Sequence, residues 1–277
     1  MLKYKNQDPF LTDPLNLTNT LGQKFSYPFH GIIWNTLADG NNHRLFLEVR
    51  NVQEKKVSFS ALNLQNNQWL WKDVALEEPW WVSLGAIGGD MLLLTVYTDT
   101  NNPDRKSLLA YDVLKNQIAW WYNGFSLSIA NSLYVKGIDS KFPAKETVLD
   151  LFTGQPVQHV DFDLGDSQNF PVIRPFQYEQ GTAHFETVRY FLESRLGIEP
   201  VATIEYLESG GLIMVSVFLN EEGLANYLYA LSASGEVLLK EKLGENLKGV
   251  ALDTFFIFSG HLIFVKNKNE LISYKIV

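Results

Sequence analysis

Short apolar runs alternate with polar turns along most of the chain, and residues 106–121 show the pattern most clearly. Leu108 and Ala110 alternate there with Leu109 and Tyr111, which is the two-residue period of a β-strand. Residues 114–116 form a break, and a second apolar run follows. The pattern predicts two strands joined by a tight turn. Weaker copies recur along the sequence, which indicates a structural repeat.

The repeated unit is predicted to contain four strands, with one tight turn between the first two and another between the last two. Glycine and asparagine recur at both turns because they adopt the positive φ that tight hairpins require. The near-equal spacing from each first turn to the second predicts five units. The first turns lie at Gly40, Gly89, Asn131, Gly211 and Gly260, and the second turns lie at Asn66, Asn116, Gly154 and Gly235.

The character of the strands also differs within a unit. Second strands, such as residues 91–96 and 212–218, are almost wholly apolar, so we expect both of their faces to be covered. Third strands, such as residues 57–64, alternate serine with apolar residues and are expected nearer the rim. The fifth unit lacks a fourth strand, and we expect residues 22–29 to supply it by pairing with residues 269–277. Such pairing removes the open edges of a ring of sheets.

Four segments resemble the strand-turn core of quinoprotein-type (WD40/PQQ-type) propeller repeats, in which Ala-apolar-Asp leads to Thr-Gly and then to a tryptophan. They are Ala61-Leu62-Asn63, Ala110-Tyr111-Asp112, Leu149-Asp150-Leu151-Phe152-Thr153-Gly154 and Ala230-Leu231-Ser232-Ala233-Ser234-Gly235, with Trp69, Trp71, Trp120 and Trp121 near the tryptophan position. The chain also resembles bacterial propeller-like families of unknown function. The resemblance implies an all-β fold, a single five-bladed β-propeller. Quinoprotein dehydrogenases have more blades and a cysteine-rich cofactor site, so no cofactor is implied.

Residues 161–200 depart from the repeat. Phe185, Val188, Leu192 and Leu196 fall on one face of a helix that Thr182 would cap and Gly197 would end. This face must cover something, and His184, Arg189 and Glu193 would then be left toward solvent or a pocket. The alternative is a sixth, decayed blade, because Glu186-Thr187-Val188 repeats Glu146-Thr147-Val148. The helical spacing is longer, so we expect an N-terminal arm (1–21) and one propeller domain (22–277) with a helix-containing insert (161–200).

Composition narrows the functional classes. The chain has 277 residues, a net charge of −8 and no cysteine. Lys and Arg are scattered, so the basic stripe of a nucleic-acid groove is absent. No apolar segment approaches the length of about 20 residues that spans a bilayer. We therefore expect a cytoplasmic monomer that binds neither nucleic acid nor membrane.

Few motifs indicate chemistry. Asp161, Asp163 and Asp166, and separately Asp99, Asn101, Asn102 and Asp104, offer oxygen ligands of the kind calcium prefers. Neither group has the spacing of a known calcium loop, so we interpret both as solvated turns and expect no metal site. Gly165-Asp166-Ser167 has the letters of a lipase-type serine block but lies in a polar connection. We interpret it as a turn.

The loops that would cluster at the channel mouth of a propeller carry the candidate ligand-binding residues. Paired acids beside paired indoles suit a polar ligand with apolar faces, such as a sugar, because aromatic rings stack and carboxylates orient. In the alternative interpretation, Trp80 and Trp81 begin an inner strand and pack between blades. The candidates are His30, Glu77, Glu78, Trp80, Trp81, Tyr122, Arg174 and His184.

Glu205 and Asp253 are the weak catalytic candidates, since each falls in a predicted inner strand and could face a channel. Two channel carboxylates roughly 5–9 Å apart could act as acid and as nucleophile or base on a glycoside. The sequence therefore favours a non-catalytic propeller that binds a small polar ligand or a protein partner on its loop-rich face. A small-molecule hydrolase acting on glycosides is the alternative.

Overall fold

The computed structural model describes residues 21–158, 160, 162 and 171–276, so the predicted arm lies outside the described residues except for Leu21. The described part is all-β with one helix, and its strands form five sheets. They fall into two compact units. One unit contains Lys24–Pro175 and the C-terminal residues from Asp253 onward; the other contains Phe176–Leu252. The prediction that residues 22–277 form a single domain remains a prediction.

Three of the sheets in the first unit follow one another in chain order. After β1 (Gln23–Pro28), sheet I contains β2 (Ile32–Asp39), β3 (Arg44–Asn51), β4 (Lys56–Asn63) and β5 (Gln68–Val74). Sheet II contains β6 (Val82–Gly88), β7 (Met91–Tyr97), β8 (Lys106–Asp112) and β9 (Gln117–Tyr122). Sheet III contains β10 (Phe125–Ala130), β11 (Tyr134–Asp139), β12 (Glu146–Asp150) and the short β13 (Pro156–Val157). Neighbouring strands in each sheet are antiparallel.

The second unit contains sheet IV and the helix. Sheet IV consists of β14 (Phe176–Glu179), β15 (Val201–Ser209), β16 (Leu212–Asn220), β17 (Leu224–Ser232) and β18 (Val237–Leu247), with α1 (Ala183–Leu196) between β14 and β15. The last strands of the chain return to the first unit as β19 (Phe255–Phe258), β20 (His261–Lys266) and β21 (Glu270–Lys275). Sheet V has the order β1-β21-β20-β19, so the predicted pairing of the N-terminal and C-terminal strands is confirmed.

Side-chain carboxylates fix the predicted hairpin turns. Asp112 Oδ1 accepts the N–H groups of Leu114 (3.1 Å) and Lys115 (2.8 Å), and Asp150 Oδ1 accepts those of Phe152 (3.1 Å) and Thr153 (2.8 Å). The Lys115 N–H is the main cause that lowers the pKa of Asp112 from its ordinary value. These bonds satisfy donors that the strand ladder leaves unpaired.

Two indoles join consecutive sheets. Trp71 in sheet I donates from Nε1 to the Val113 carbonyl after β8 (3.0 Å), and Trp120 in sheet II donates to the Leu151 carbonyl after β12 (2.8 Å). The Trp120 ring lies over Gly154, where an added Cβ would be 2.7 Å from a ring carbon. Two of the four predicted tryptophan positions thus bridge sheets through the same type of bond.

The serines of β4 are more buried than their alternation with apolar residues suggests. Ser60 is fully buried and its Oγ accepts the Asp73 N–H (3.0 Å). The pairing of β4 with β5 shifts register between Phe59 and Ala61, so the Asp73 amide has no partner in the ladder and takes the serine hydroxyl instead.

The predicted helix is confirmed together with its caps. Thr182 Oγ1 accepts the Phe185 N–H (3.3 Å), and Gly197 ends the helix with φ 65°. Phe185 and Leu192 are buried against sheet IV, and Val188 and Leu196 pack at the edge of the same cluster. Glu193 is exposed, whereas Arg189 is half-buried and pairs with Glu186 at 2.8 Å.

Residues 161–200 are nevertheless more than an insert. Residues 176–179 form β14 and extend sheet IV, with Gln177 opposite Glu205. The strand begins directly after Pro175, because a proline lacks the N–H that a ladder requires. Glu186-Thr187-Val188, on which the sixth-blade alternative rested, lies within α1. Among the described residues, no helix has the length and apolar character needed to cross a bilayer.

Replacing Trp120 with Phe is expected to lower the free energy of unfolding by about 1–3 kcal/mol, because the buried Leu151 carbonyl loses its donor. Trp121→Phe is the matched control, since the Trp121 indole is 43% exposed and donates to Asn123 Oδ1 at 2.7 Å. Urea denaturation followed by circular dichroism measures both variants. Equal losses would show that the sheet-bridging bond has no special contribution.

His261 should make stability depend on pH. Burial lowers its pKa from 6.5, and nearby Lys24 and Lys275 lower it further. The neutral imidazole accordingly contributes its full stability above the unfolded-state pKa and loses it as pH falls through the folded-state pKa. Between pH 7 and about pH 5, the unfolding free energy of His261→Asn should fall less steeply than that of the wild type. An unchanged slope in His261→Asn would contradict the assignment.

Candidate functional site

An open cleft of about 380 Å³ lies between sheets I and II, within the first unit. Its volume falls in the range of small-molecule sites. Aromatic side chains form much of its wall, and polar side chains with hydrogen-bonding groups complete it. The aromatic residues are Trp34, Trp80, Trp81 and Tyr97, and the polar and charged residues are Asn35, Glu48, Arg50, Ser83, Asp99 and Thr100.

A β-bulge presents Trp34 to the cleft. The pairing of β2 with β3 shifts register between Ile33 and Asn35, so Trp34 is the extra residue of the bulge. Bulges re-aim side chains that a regular ladder would direct elsewhere. The side chain of Trp34 is 65% exposed, which is unusual for so large an apolar group.

Trp80 and Trp81 are held by the loop that precedes β6. Glu78 Oε1 accepts the N–H groups of Trp80 (2.9 Å) and Trp81 (2.8 Å), which fixes the turn. Trp80 packs partly against the core between sheets I and II, whereas Trp81 is 42% exposed. The structure thus brings together three of the predicted residues, but the Glu78 oxygen that sequence reasoning offered to a ligand is bonded to backbone.

Arg50 crosses from sheet I to the strand that opens sheet II. Its guanidinium donates to Glu48 Oε1, to the Trp80 carbonyl (3.2 Å) and to the Val82 carbonyl (2.8 Å). Glu48 is fully buried, and its second oxygen accepts the Leu84 N–H at 2.8 Å. The guanidinium also lies over two indoles, 5.6 Å from the Trp34 ring centroid and 5.1 Å from that of Trp80.

Asp99 is the remaining charged residue that lines the cleft. Asp99 Oδ1 accepts the Asn101 N–H, and Oδ2 lies 3.5 Å from the Arg105 guanidinium. Within the described residues, the indole N–H groups of Trp34, Trp80 and Trp81 have no hydrogen-bond acceptor, in contrast to those of Trp71, Trp120 and Trp121. The cleft therefore offers exposed ring faces together with indole N–H donors that have no acceptor within the described residues.

Sequence reasoning missed Trp34, Glu48, Arg50 and Tyr97 as site residues. One signal was available in β3, where Glu48 and Arg50 interrupt an otherwise apolar run. Residues two apart on a strand point to the same face, so the two charges could have been predicted to pair. Their alignment with Trp80 and Leu84 depends on how the sheets pack and could not be read from spacing.

The other candidate residues have different surroundings. His30 and Glu77 are exposed. The Tyr122 hydroxyl donates to Asp139 Oδ2 (2.8 Å), and burial, with this bond, raises the pKa of Tyr122. Arg174 forms an ion pair with Asp253 at 3.3 Å. His184 is exposed in the second unit and stacks on Tyr178 at a centroid distance of 5.1 Å.

The two catalytic candidates lack the surroundings that the sequence predicted. Asp253 lies in the loop before β19 rather than in a strand, with φ 54°, and pairs with Arg174. Glu205 does lie in β15, but its exposure is 0%, and Gln177 Nε2 lies 3.5 Å from its Oε1. A solute cannot reach this carboxylate without rearrangement of sheet IV.

Of the two acidic turns, the structure describes the one at residues 99–104. Asp161, Asp163, Asp166 and the block at 165–167 lie outside the described residues. In the other turn, Asn102 Oδ1 accepts the Asp104 N–H at 3.0 Å. The described part of the chain contains no group of three or more His, Asp or Glu side chains placed to hold a metal ion.

Comparisons with known proteins give a partial family match. Residues 38–120 match the model of a domain of unknown function (DUF4905), a segment that includes most of sheets I and II. A search of curated proteins found no match.

Similar solved structures are distant. BamB from Moraxella catarrhalis is 11% identical, with 92% of this chain and 99% of that chain covered and a TM-score of 0.27. An oligogalacturonate lyase in complex with manganese is 9% identical, with 90% of each chain covered and a TM-score of 0.29. A eukaryotic initiation factor is 12% identical over 89% of this chain and 52% of that chain, with a TM-score of 0.34. At these TM-scores the likenesses assign neither fold nor function.

Replacing Arg50 with Ala is expected to lower the free energy of unfolding by about 3–5 kcal/mol, because Glu48 becomes an unpaired buried charge. Methylguanidinium should enter the vacated space and raise the melting temperature of this variant. Arg105→Ala is the matched control, since the Arg105 side chain is 70% exposed and exposed ion pairs contribute little. Differential scanning fluorimetry with and without methylguanidinium measures both. An equal shift in wild type and variant would contradict occupation of that space.

Proposed function

We propose that the five sheets are the blades of a five-bladed β-propeller and that the pairing of β1 with β21 closes its ring. Two observations support this arrangement. Sheets I to III each run through four antiparallel strands in chain order, and the first and last strands of the chain share sheet V. Bonds between consecutive sheets, such as that from Trp71 to the Val113 carbonyl, are of the kind that side-by-side blades require.

For the function, we propose non-catalytic binding of a small polar ligand with apolar faces, in the cleft between sheets I and II. The observation that carries the proposal is the exposure of two indoles, Trp34 and Trp81, in one cleft of suitable volume. The exposure of such large apolar rings to water is energetically unfavourable. Exposed rings that lie together in a concave surface indicate a binding site more often than isolated exposed rings do.

The polar groups around the rings suit binding better than catalysis. Glu48 has both oxygens engaged, and Asp99 is engaged by a backbone amide and by Arg105. A glycosidase needs two carboxylates that reach the substrate from opposite sides. Glu205 is buried and therefore does not favour the hydrolase alternative.

The proposal is tested by screening for ligands with thermal shift and then measuring affinity in variants. A ligand that binds only the native state must raise the melting temperature. Trp34→Ala and Trp81→Ala should each weaken its binding about tenfold or more. Trp121→Ala is the matched control, because Trp121 has nearly the same exposure as Trp81 (43% against 42%) and does not line the cleft.

Isothermal titration calorimetry provides the affinities, and the thermal unfolding of each variant establishes that it is folded. If Trp121→Ala weakens binding as much as Trp34→Ala does, the ligand binds elsewhere and the assignment of the cleft is wrong.

A further inference from the structure

The Arg50 guanidinium, a cation of the protein itself, lies over the rings of both Trp34 and Trp80. The Arg50 guanidinium lies 5.6 Å and 5.1 Å from the two ring centroids, within the range of cation–π contact. Indole faces that are not covered in this way can bind ammonium or guanidinium ligands. Because Arg50 is held by Glu48 and by two carbonyl groups, a cationic ligand would have to displace a buried, hydrogen-bonded ion pair.

An anionic ligand meets a related difficulty. The guanidinium of Arg50 has N–H bonds to Glu48, to the Trp80 carbonyl and to the Val82 carbonyl, and the charge of Glu48 offsets its own. Asp99 carries the other charge that lines the cleft, and its partner Arg105 lies 3.5 Å away. Each charged residue of the lining is therefore already paired within the protein, and a charged ligand would lose hydration without gaining a free counter-charge.

The groups of the cleft that remain available to a ligand are aromatic ring faces and hydrogen-bonding atoms. Trp34 and Trp81 expose ring faces, whose negative quadrupole attracts C–H groups. The indole N–H groups donate, the hydroxyl groups of Ser83 and Thr100 donate or accept, and Asp99 has lone pairs left. A neutral sugar ring matches this set, because one of its faces carries C–H groups and its hydroxyl groups both donate and accept at the rim.

We propose that the ligand of the cleft is a neutral carbohydrate, whose ring stacks on Trp34 or Trp81, and that Arg50 acts as an internal occupant that excludes cationic ligands. This inference rests on the proposed function, since it names the ligand class of the same cleft. Arg50 is a positioning residue here: it holds the Trp34 and Trp80 rings and does not itself bind the sugar.

The experiment probes the full-length protein on an array of neutral glycans, glycans with uronic acids and glycans with free amino sugars. Calorimetry on the strongest binders follows at about 50 mM and about 500 mM salt. Neutral glycans should bind, with an affinity that changes less than about twofold with salt, because counter-charges do not contribute. Trp34→Ala should lose about tenfold or more in affinity, and Trp121→Ala should retain it.

The outcomes separate this inference from the proposed function. A preference for uronic acids or amino sugars that weakens in high salt would overturn the neutral class and leave the binding cleft in place. Binding of a nucleotide or another non-carbohydrate ligand that Trp34→Ala abolishes would do the same. Absence of binding to all glycans and to all members of a general small-molecule set would overturn both.

Discussion

The structure of sheets I and II depends on one constraint: their central strands are buried on both faces. In β3 the buried run extends from Arg44 to Val49, and in β7 it extends from Met91 to Leu94. An antiparallel sheet with one solvated face would alternate in polarity instead. Sheets I and II must therefore be covered on both faces, and removal of a neighbouring sheet would expose much of their apolar surface.

Arg44 and Glu48 lie buried at the boundary between sheets I and II, so their charges must be paired. Two arginines of β3 satisfy this requirement in different ways. Arg44 bonds to Asp39 at 2.6 Å and to Asp90 at 2.7 Å, and thereby links the first turns of the two sheets. Arg50 and Glu48 link β3 to the start of β6. Buried pairs of this kind add less to stability than to specificity, since any other register of the two sheets would leave a charge unpaired.

The sequence predicted the fold more fully than the site. Strands, hairpin turns and the capped helix follow from local rules: period-two alternation, residues with positive φ such as Asn116 (φ 56°) and Gly154 (φ 68°), and a threonine that accepts the first free N–H of the helix. The site combines residues 34, 48–50, 80–84 and 97–103, whose proximity depends on packing between two sheets. Trp80 and Trp81 were found because adjacent indoles are conspicuous in a loop, whereas Trp34 required knowledge of the bulge.

Burial explains where functional interpretation of the sequence was least reliable. Glu205 lies between apolar neighbours, as a channel-facing acid would. Its side chain is nevertheless buried, and a fifth strand, β14, pairs with the edge of β15 and places Gln177 opposite it.

The bulge in the first strand of sheet I has a counterpart in the first strand of sheet II. β6 has a register shift at the equivalent place, between Leu84 and Ala86, where the extra residue is Gly85. A Cβ at Gly85 would lie 2.8 Å from the Leu127 side chain and 3.0 Å from the Leu93 carbonyl oxygen, so sheet III occupies the space that an indole takes in sheet I. The bulge is thus repeated with a different residue: at Gly85 the Leu127 side chain of sheet III comes close to the backbone, whereas Trp34 places an exposed indole in the cleft beside sheet II.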